Sequence, residues 1–262
     1  MEVMFILNES DVFKNHIIDL SRRSYERGIY TYSDFLTLAE QSDFACVMQE
    51  GKLYTNGYSI FGGFEGAERV MVRFGTEEML GYDEPWPIAC IEVRPLNQKF
   101  AEKLSHRDVL GSLMNLGIER ALTGDIIMPE DDGGSIYFFA REHIADTLCR
   151  ELTRIRHTSV TAAIADAAGG KITPKLKEVT LQVKSDRIDL MTAHLYKLSR
   201  SQTAELFLAK KVFVNGRLTE NESYNLKDKD VVSVRGFGRF IYKGAMGTTK
   251  KGNLNVTVLQ YI

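Results

Sequence analysis

The last ninety residues restrict the possible folds most strongly, because signals for two short helices follow one another there. Ser185 or Asp186 is placed to cap a first helix that begins near Arg187. Ser199 is placed to cap a second helix that ends near Lys210. We therefore expect a helical pair within a small C-terminal domain.

Strand signals surround this helical pair. Alternating polar and apolar residues at 173–183 predict an entry strand, and Val212–Val214 and Val231–Val234 predict later strands. Asn215-Gly216 is a pair that tight hairpin turns favour. One face of the second helix is predicted to pack on the first, through Ala204, Phe207 and Leu208.

The order of these motifs resembles the S-four domain, an RNA-binding module named after small-subunit ribosomal protein four. The resemblance implies a small α+β domain of the alpha-L type, whose two helices dock against irregular RNA helices and junctions. Forked guanidinium groups and backbone N–H groups at helix starts are suited to phosphate oxygens. The positions expected to bind RNA are Arg187, Arg200, Ser201, Lys210, Lys211, Asn215, Arg217, Arg235 and Arg239.

Single members of this set also have plain structural explanations. Lys210 and Lys211 fit the positive end of a helix, and Arg187 with Asp189 fits an exposed ion pair worth less than about 1 kcal/mol. Asp189 is interpreted as a group that orients an arginine. Lys210 departs from the family pattern, since many S-four domains have glycine there, so we expect a different loop. In their combined order the motifs favour RNA binding.

Charge is distributed unevenly along the chain. Residues 171–262 contain 17 Lys and Arg against 8 Asp and Glu, a balance of +9, whereas residues 1–170 contain 16 against 27, or −11. Such a distribution steers a polyanion toward the C-terminal part, with an affinity that falls as salt rises. A solvated basic face without a partner would show the same balance.

The first 170 residues predict a helical start followed by a mixed sandwich. Asn8 or Ser10 is placed to cap a helix that stops at Gly28, and Thr31 or Ser33 to cap a second one that stops at Gly51. Beyond residue 52, strands and helices alternate with short connections, which fits a ferredoxin-like or RNA-recognition-motif-like α/β sandwich. The predicted linker is Ala167-Ala168-Gly169-Gly170, and the predicted domains are residues 1–51, 52–170 and 171–262.

Four further segments resemble the YlmH family of bacterial S-four proteins. They are residues 33–36 (SDFL), 61–69 (FGGFEGAER), 104–120 (LSHRDVLGSLMNLGIER) and 124–126 (GDI). The resemblance implies a non-enzymatic binder of ribosomal RNA and transfer RNA, associated with stalled large ribosomal subunits in ribosome-associated quality control. DNA is not an expected partner.

Two motifs of the middle region invite other interpretations. His106-Arg107-Asp108 is similar to a kinase catalytic loop, but Leu113 stands where that loop needs a metal-binding asparagine. We expect Ser105 to cap a helix here and Asp108 to support it, while RNA contact by His106 and Arg107 stays open. Tyr137-Phe138-Phe139 is interpreted as a core strand rather than a base-stacking platform.

An RNA-modifying enzyme is the alternative, because S-four domains are often attached to pseudouridine synthases and methyltransferases. The chain lacks the Gly-Arg-Leu-Asp segment and the glycine-rich loop of those two classes. Asp108, Glu119 and Asp125 are the first carboxylates to inspect for hidden activity. We expect no catalytic residue, cofactor or metal.

The compartment is predicted to be the cytoplasm. No stretch approaches the roughly 18 apolar residues of a membrane span, and the first residues lack the pattern of a signal peptide. Cys46, Cys90 and Cys149 lie far apart in apolar contexts, so we expect reduced core or half-buried thiols rather than disulfides or a zinc site.

Overall fold

The computed structural model describes residues 8–55, 57–129, 134–165, 174–249 and 252–262. The chain divides into two compact units, residues 1–173 and 174–262. The linker predicted at residues 167–170 lies outside the described residues, and the three predicted domain boundaries stay predictions. Within the described ranges, no helix has the length and apolar character needed to cross a membrane.

The first unit begins with helices packed on a small antiparallel sheet of order β1-β3-β2. Its elements are α1 (Glu9–Arg27), β1 (Thr31–Tyr32), α2 (Leu38–Gln49), β2 (Tyr58–Phe61), β3 (Met71–Phe74) and α3 (Glu77–Leu80). Ile17 of α1 and Phe44 of α2 share a core with Val72 and Phe74 of β3. The helices thus share their core with a strand that lies beyond the predicted boundary at residue 51.

The cap of α1 is confirmed and that of α2 is not. The Asn8 side chain accepts a hydrogen bond from the backbone N–H of Asp11, and Gly28 ends the helix in a left-handed conformation. Helix α2 is instead capped by Thr37. The two residues predicted to cap α2 have other roles. Thr31 belongs to β1, and the Ser33 hydroxyl accepts a hydrogen bond from the N–H of Val72 in β3.

Residues 88–165 form a ferredoxin-like sandwich. The prediction began it at residue 52, but β2 and β3 belong to the first sheet. Its elements are β4 (Ile88–Pro95), α4 (His106–Asn115), β5 (Thr123–Ile127), β6 (Ile136–Arg141), α5 (Glu142–Glu151), β7 (Arg154–Ile155) and β8 (Thr158–Ala165), with short 3₁₀ turns at Gln98–Phe100 and Arg120–Leu122. The sheet order β5-β6-β4-β8-β7 is antiparallel throughout, with α4 and α5 as the crossovers of a split β-α-β unit. Val109 of α4 and Leu148 of α5 pack on Ile91 and Phe138 of one sheet face.

The other face of this sheet is also covered. Tyr137 and Phe139 lie in a core that contains Phe35 and Met71, and the Phe64 ring stacks on Phe139 with a centroid distance of 5.1 Å. The prediction of a core strand is therefore confirmed. The aromatic face that could stack RNA bases is filled by the protein itself.

The glycine-rich segment between β2 and β3 forms a hairpin connection. A side chain at Gly63 would lie 2.2 Å from the Phe139 ring, so only glycine fits this close approach. The following Arg69 is buried and donates hydrogen bonds to the carbonyl oxygens of Phe35, Arg120 and Thr123. This arginine ties the first part of the unit to the sandwich.

The second unit consists of a helical pair on a six-stranded antiparallel sheet of order β11-β10-β12-β13-β14-β9. Its elements are β9 (Leu176–Val183), α6 (Ile188–Tyr196), α7 (Arg200–Leu208), β10 (Val212–Val214), β11 (Arg217–Leu218), β12 (Val231–Val234), β13 (Gly238–Thr248) and β14 (Leu254–Tyr261). Met191 and Phe207 of the helices pack on Val232 and Phe240 of the sheet. The α+β fold class is confirmed in both units.

Two expectations for the helical pair are wrong. Neither Ser185 nor Asp186 caps α6, because its N-cap is Arg187 and the Asp186 carboxylate accepts a hydrogen bond of 2.6 Å from the Tyr242 hydroxyl. Leu208 does not pack on the first helix, since 81% of its surface is exposed. Leu206 is buried in the core.

Candidate nucleic-acid interface

A cleft of about 650 Å³ lies between α6 and α7, next to the end of β9. Arg187 and Arg200, the two arginines predicted at the helix starts, both line it. Its wall includes Leu190 and Ala193 of α6 and Ala204 of α7. The fold thus brings two predicted RNA-binding residues together on one concave surface.

Arg187 is held in a fixed orientation by Asp189. Its Nε lies 3.0 Å from Asp189 Oδ1 and its Nη2 lies 2.7 Å from Oδ2, a forked pair. The hydrogen bond to Asp189 raises the pKa of Arg187 above its ordinary value. The interpretation of Asp189 as an orienting carboxylate is confirmed.

Arg200 lies at the start of α7, directly after a well-formed cap. The Ser199 hydroxyl accepts from the Gln202 N–H, while the Gln202 side chain accepts from the Ser199 N–H, as predicted for a capping serine. Arg200 is exposed and forms no ion pair with any residue in the described ranges, and Ser201 beside it is exposed as well. The guanidinium of Arg200 is therefore available to an anion.

Lys210, Lys211 and Arg217 lie beyond the C-terminal end of α7. Lys210 adopts a left-handed φ of 55°, the conformation for which glycine is best suited, and its Nζ lies 3.5 Å from Glu220 Oε1. Lys211 and Arg217 are exposed. Lys210 thus adopts the backbone conformation that glycine favours, so the presence of lysine here does not by itself require a different loop.

Arg235 and Arg239 lie on the sheet face opposite the helices. Val232, Val234 and Phe240 point toward the helical core, so the alternation of strands turns Arg235 and Arg239 to the other side. The Arg235 guanidinium lies 5.2 Å from the centre of the Phe213 ring, and that of Arg239 lies 4.0 Å from the Tyr261 ring. The predicted set of cations therefore occupies two faces of the second unit.

Asn215 has a structural role in the predicted hairpin turn. Both Asn215 and Gly216 have positive φ, 50° and 75°, as a type I′ turn requires. The Asn215 amide nitrogen donates to Asp230 Oδ1 at 2.8 Å, and its oxygen accepts from the Val231 N–H at 2.9 Å. Its side-chain groups are thus engaged within the fold.

Sequence reasoning missed part of the cleft wall. Lys184 lies in the loop after β9, His194 on α6, and Asn253 in the hairpin that joins β13 to β14. The pairing of β14 with β9 brings Asn253 to the cleft, because Leu254 lies opposite Val183. No local pattern could have indicated this contact across seventy positions of the chain.

Of the three carboxylates considered for catalysis in the middle region, Asp108 and Asp125 have structural partners, whereas Glu119 precedes the 3₁₀ turn Arg120–Leu122 and its side chain does not cap it. Asp108 forms a capping box with Ser105, as predicted, and its hydrogen bond to Ser105 lowers its pKa. Asp125 accepts from the backbone N–H groups of Glu68 and Arg69 at 2.6 and 3.2 Å. Among the residues that the structure describes, no group of three or more His, Cys, Asp or Glu is arranged to hold a metal ion.

The three cysteines differ in exposure. Cys90 is buried and Cys149 is partly buried, as expected. Cys46 is exposed, so its prediction as a core or half-buried thiol is wrong. It lies on the solvent side of α2, between positions 45 and 47, which face the core.

Comparisons with known proteins add to this geometry. Residues 83–168 match a family described as "Putative RNA-binding domain in YlmH". Over 253 residues the chain is 27% identical to "Ribosome-associated protein quality control protein P2" of Bacillus subtilis (strain 168), covering 94% of this chain and 93% of that protein. A solved structure, "Cell division protein ylmH from Streptococcus pneumoniae", is similar over 66% of this chain and 100% of its own, with 20% identity and a TM-score of 0.47.

Proposed function

We propose, from the now confirmed resemblance to the YlmH family, that this chain is an RNA-binding protein of the translation apparatus. Its ligands would be ribosomal RNA, transfer RNA or the junction between them. The name of the Bacillus subtilis relative, a ribosome-associated quality-control protein, supports a ribosomal particle as the partner, and we take the stalled large subunit as the specific particle. A protein of this kind acts in the cytoplasm.

One observation carries the proposal: Arg187 and Arg200 line the same cleft at the starts of two neighbouring helices. Arginine forks match phosphate oxygens, and Arg200 forms no ion pair within the described residues. The Nε and Nη2 groups of Arg187 are taken by Asp189, so Arg187 offers an anion only its remaining N–H groups, in a fixed position. RNA of irregular shape is recognised largely through its phosphates and backbone geometry. The cleft therefore presents one fixed arginine and one exposed arginine to structured RNA on the same surface.

Binding to ribosomal particles tests this proposal. Purified protein is sedimented with large subunits, with and without bound transfer RNA, over a series of salt concentrations. We expect co-sedimentation at low salt that weakens steeply as salt rises, because counterions are released when phosphates are neutralised. Failure to associate with any ribosomal particle at low salt would contradict the proposal.

Charge reversal of Arg200 separates this site from bulk charge. Arg200→Glu is expected to weaken RNA binding at least about tenfold and to reduce the salt slope by about one phosphate contact. Lys177→Glu is the matched control, since it changes charge equally at the other end of β9, about 16 Å along the strand from Gln182. Equal losses in both variants would mean that RNA binds through net charge rather than at the cleft.

The alternative of an RNA-modifying enzyme receives no specific support from the described residues. Asp108 accepts a hydrogen bond from the backbone N–H of Ser105, and Asp125 accepts from those of Glu68 and Arg69. Each of the two carboxylates therefore has a structural role. The proposed role requires binding without a covalent step.

A further inference from the structure

We infer that the cleft between α6 and α7 receives a single unstacked nucleotide from a bulged or single-stranded RNA segment. The base would enter the cleft, and the neighbouring phosphates would remain at its rim. This inference rests on the proposed RNA binding and specifies which form of RNA the site selects.

The size and walls of the cleft suit a base. Its volume of about 650 Å³ falls within the range of about 300 to 1,000 Å³ that is typical of small-ligand sites. Leu190, Ala193, Leu198 and Ala204 provide aliphatic wall, and the two alanines keep the space between the helices open. An apolar wall of this kind favours the flat, weakly hydrated faces of a base over a phosphate.

The charges in the cleft lead to the same assignment. Lys184, Arg187 and Arg200 line it together with the carboxylates of Asp189 and Glu222. Asp189 already neutralises Arg187 through its forked pair, so little net charge remains inside. The exposed Arg200 can hold a phosphate at the rim or lay its guanidinium plane against a base.

Polar groups in the cleft wall can recognise the edge of a base. The His194 Nδ1 lies 2.8 Å from the Leu190 carbonyl oxygen. A carbonyl only accepts, so Nδ1 donates this hydrogen bond, and Nε2 is the ring nitrogen that can face a ligand. Asn253 adds an amide with both donor and acceptor atoms. The cleft therefore combines an aliphatic wall with hydrogen-bonding groups of both kinds.

A base in a regular RNA duplex cannot reach such a site. The major groove of A-form RNA is too deep and narrow for side chains, and a paired base must leave its stack before a pocket can surround it. Unstacking costs least at a bulge or in a single strand. The cleft should therefore prefer RNA that already contains an unpaired nucleotide.

The test uses two RNA hairpins that differ at one position. One carries a single bulged 2-aminopurine in its stem, and the other has the same stem fully paired, with 2-aminopurine opposite uridine. We expect the full-length protein to bind the bulged hairpin at least about fivefold more tightly, because the paired base must first leave its stack and the bulged base avoids most of that cost. The fluorescence of the bulged 2-aminopurine should rise on binding, because an aliphatic cleft quenches it less than neighbouring bases do.

Filling the cleft supplies the decisive variant. Ala204→Phe is expected to abolish the preference for the bulged hairpin and the rise in fluorescence, while leaving the salt slope unchanged. Leu208→Phe, which enlarges an exposed side chain of the same helix outside the cleft, is the matched control and should retain both. Circular dichroism and thermal melting show whether the phenylalanine variant is folded.

A second measurement on the unmodified protein covers the case in which Ala204→Phe does not fold. A 4-thiouridine at the bulge is crosslinked by light, and we expect the attached peptide to contain residues 182–204 or Asn253. Equal binding of the two hairpins, or crosslinks elsewhere in the chain, would overturn the inference and leave RNA binding intact. Loss of binding to both hairpins and to ribosomal subunits would overturn the proposed function itself.

Discussion

At the scale of single residues, the proposed function gives the negative charge of Asp189 a supporting role in binding a polyanion. Its carboxylate accepts both arms of the Arg187 fork and the N–H of Leu190, which fixes the arginine at the cleft. If only net charge mattered, removing this negative charge would strengthen RNA binding. Orientation and net charge therefore predict opposite outcomes for the same substitution.

Asp189→Asn is predicted to weaken RNA binding about two- to fivefold, since the orientation of an exposed arginine pair is worth at most about 1 kcal/mol. Fluorescence anisotropy with a labelled ribosomal RNA fragment measures the change. Asp228→Asn, which removes an exposed carboxylate of the same unit, is the control and should leave binding equal or slightly tighter. Tighter binding by Asp189→Asn would show that Arg187 needs no partner.

The cysteines should react with iodoacetamide in the order Cys46, Cys149, Cys90. Cys46 is exposed, whereas burial raises the pKa of Cys149 and raises that of Cys90 to about 12. The thiolate is the reactive form, so a buried thiol with a raised pKa is nearly inert at neutral pH. Mass spectrometry of the native protein at pH 7.5 measures the order, and modification of Cys90 before Cys46 would contradict it.

At the scale of elements, the sequence predicts the caps and turns that depend only on neighbouring residues. Ser199 caps α7 and Asn215-Gly216 forms its turn, because each signal needs only residues within a few positions. Asp186 fails as a cap because a distant hydroxyl, that of Tyr242, takes its carboxylate. Leu208 does not pack on the first helix because Leu206 and Phe207 occupy the core-facing positions of the last turn of α7 and leave Leu208 on its solvent side. Competition from distant groups cannot be predicted from one local pattern.

Lys210, which follows the end of α7, is predicted to lower the stability of the fold and to strengthen RNA binding. Lys210 has φ +55°, which costs a residue other than glycine roughly 1 kcal/mol, so Lys210→Gly should raise the free energy of unfolding by about that amount. It should also weaken RNA binding by removing a cation. Lys197→Gly is the control, because Lys197 has the same φ at the end of α6 and is not among the proposed contacts.

Thermal melting and RNA titration together test this prediction. Both variants should melt at higher temperature than the parent chain, by a few degrees for a protein of this size. Only Lys210→Gly should lose affinity. If the Lys210→Gly variant is stabilised and its affinity for RNA is unchanged, Lys210 is not part of the proposed interface.

At the scale of the whole molecule, RNA binding is proposed for a chain whose formal net charge is −2. The balance of +9 in residues 171–262 against −11 in residues 1–170 resolves this contrast, because steering depends on the local field. Composition predicts this distribution, but it does not predict that the cations occupy two faces of the sheet. The cations are divided because neighbouring side chains along a strand point to opposite faces. Val234, which lies opposite Gly238, faces the helices, and Arg235 and Arg239, the residues that follow this pair, face the other side.

The ferredoxin-like sheet of the first unit is similar in layout to an RNA-recognition motif, but the sheet face that could stack bases is covered by the protein's own side chains. Phe64 stacks on Phe139 of the ferredoxin-like sheet, and Phe35 and Met71 complete the cover. The sequence predicts Tyr137-Phe138-Phe139 as a core strand, but it does not predict what covers each side. That cover joins residues about a hundred positions apart, which no local periodicity records.

Phe64→Ala is therefore predicted to act on stability and not on RNA binding. Loss of the aromatic pair and of partly buried surface should lower the free energy of unfolding by about 2 kcal/mol, measured by urea denaturation. Tyr25→Ala, which removes a ring that is 62% exposed, should change it by less than about 0.5 kcal/mol. Folded Phe64→Ala protein should bind RNA with the affinity of the parent chain, because the proposed contacts lie in the second unit. A loss of affinity at unchanged stability would instead mean that this sheet face opens to stack bases, and the cover would then be a movable part of the binding site.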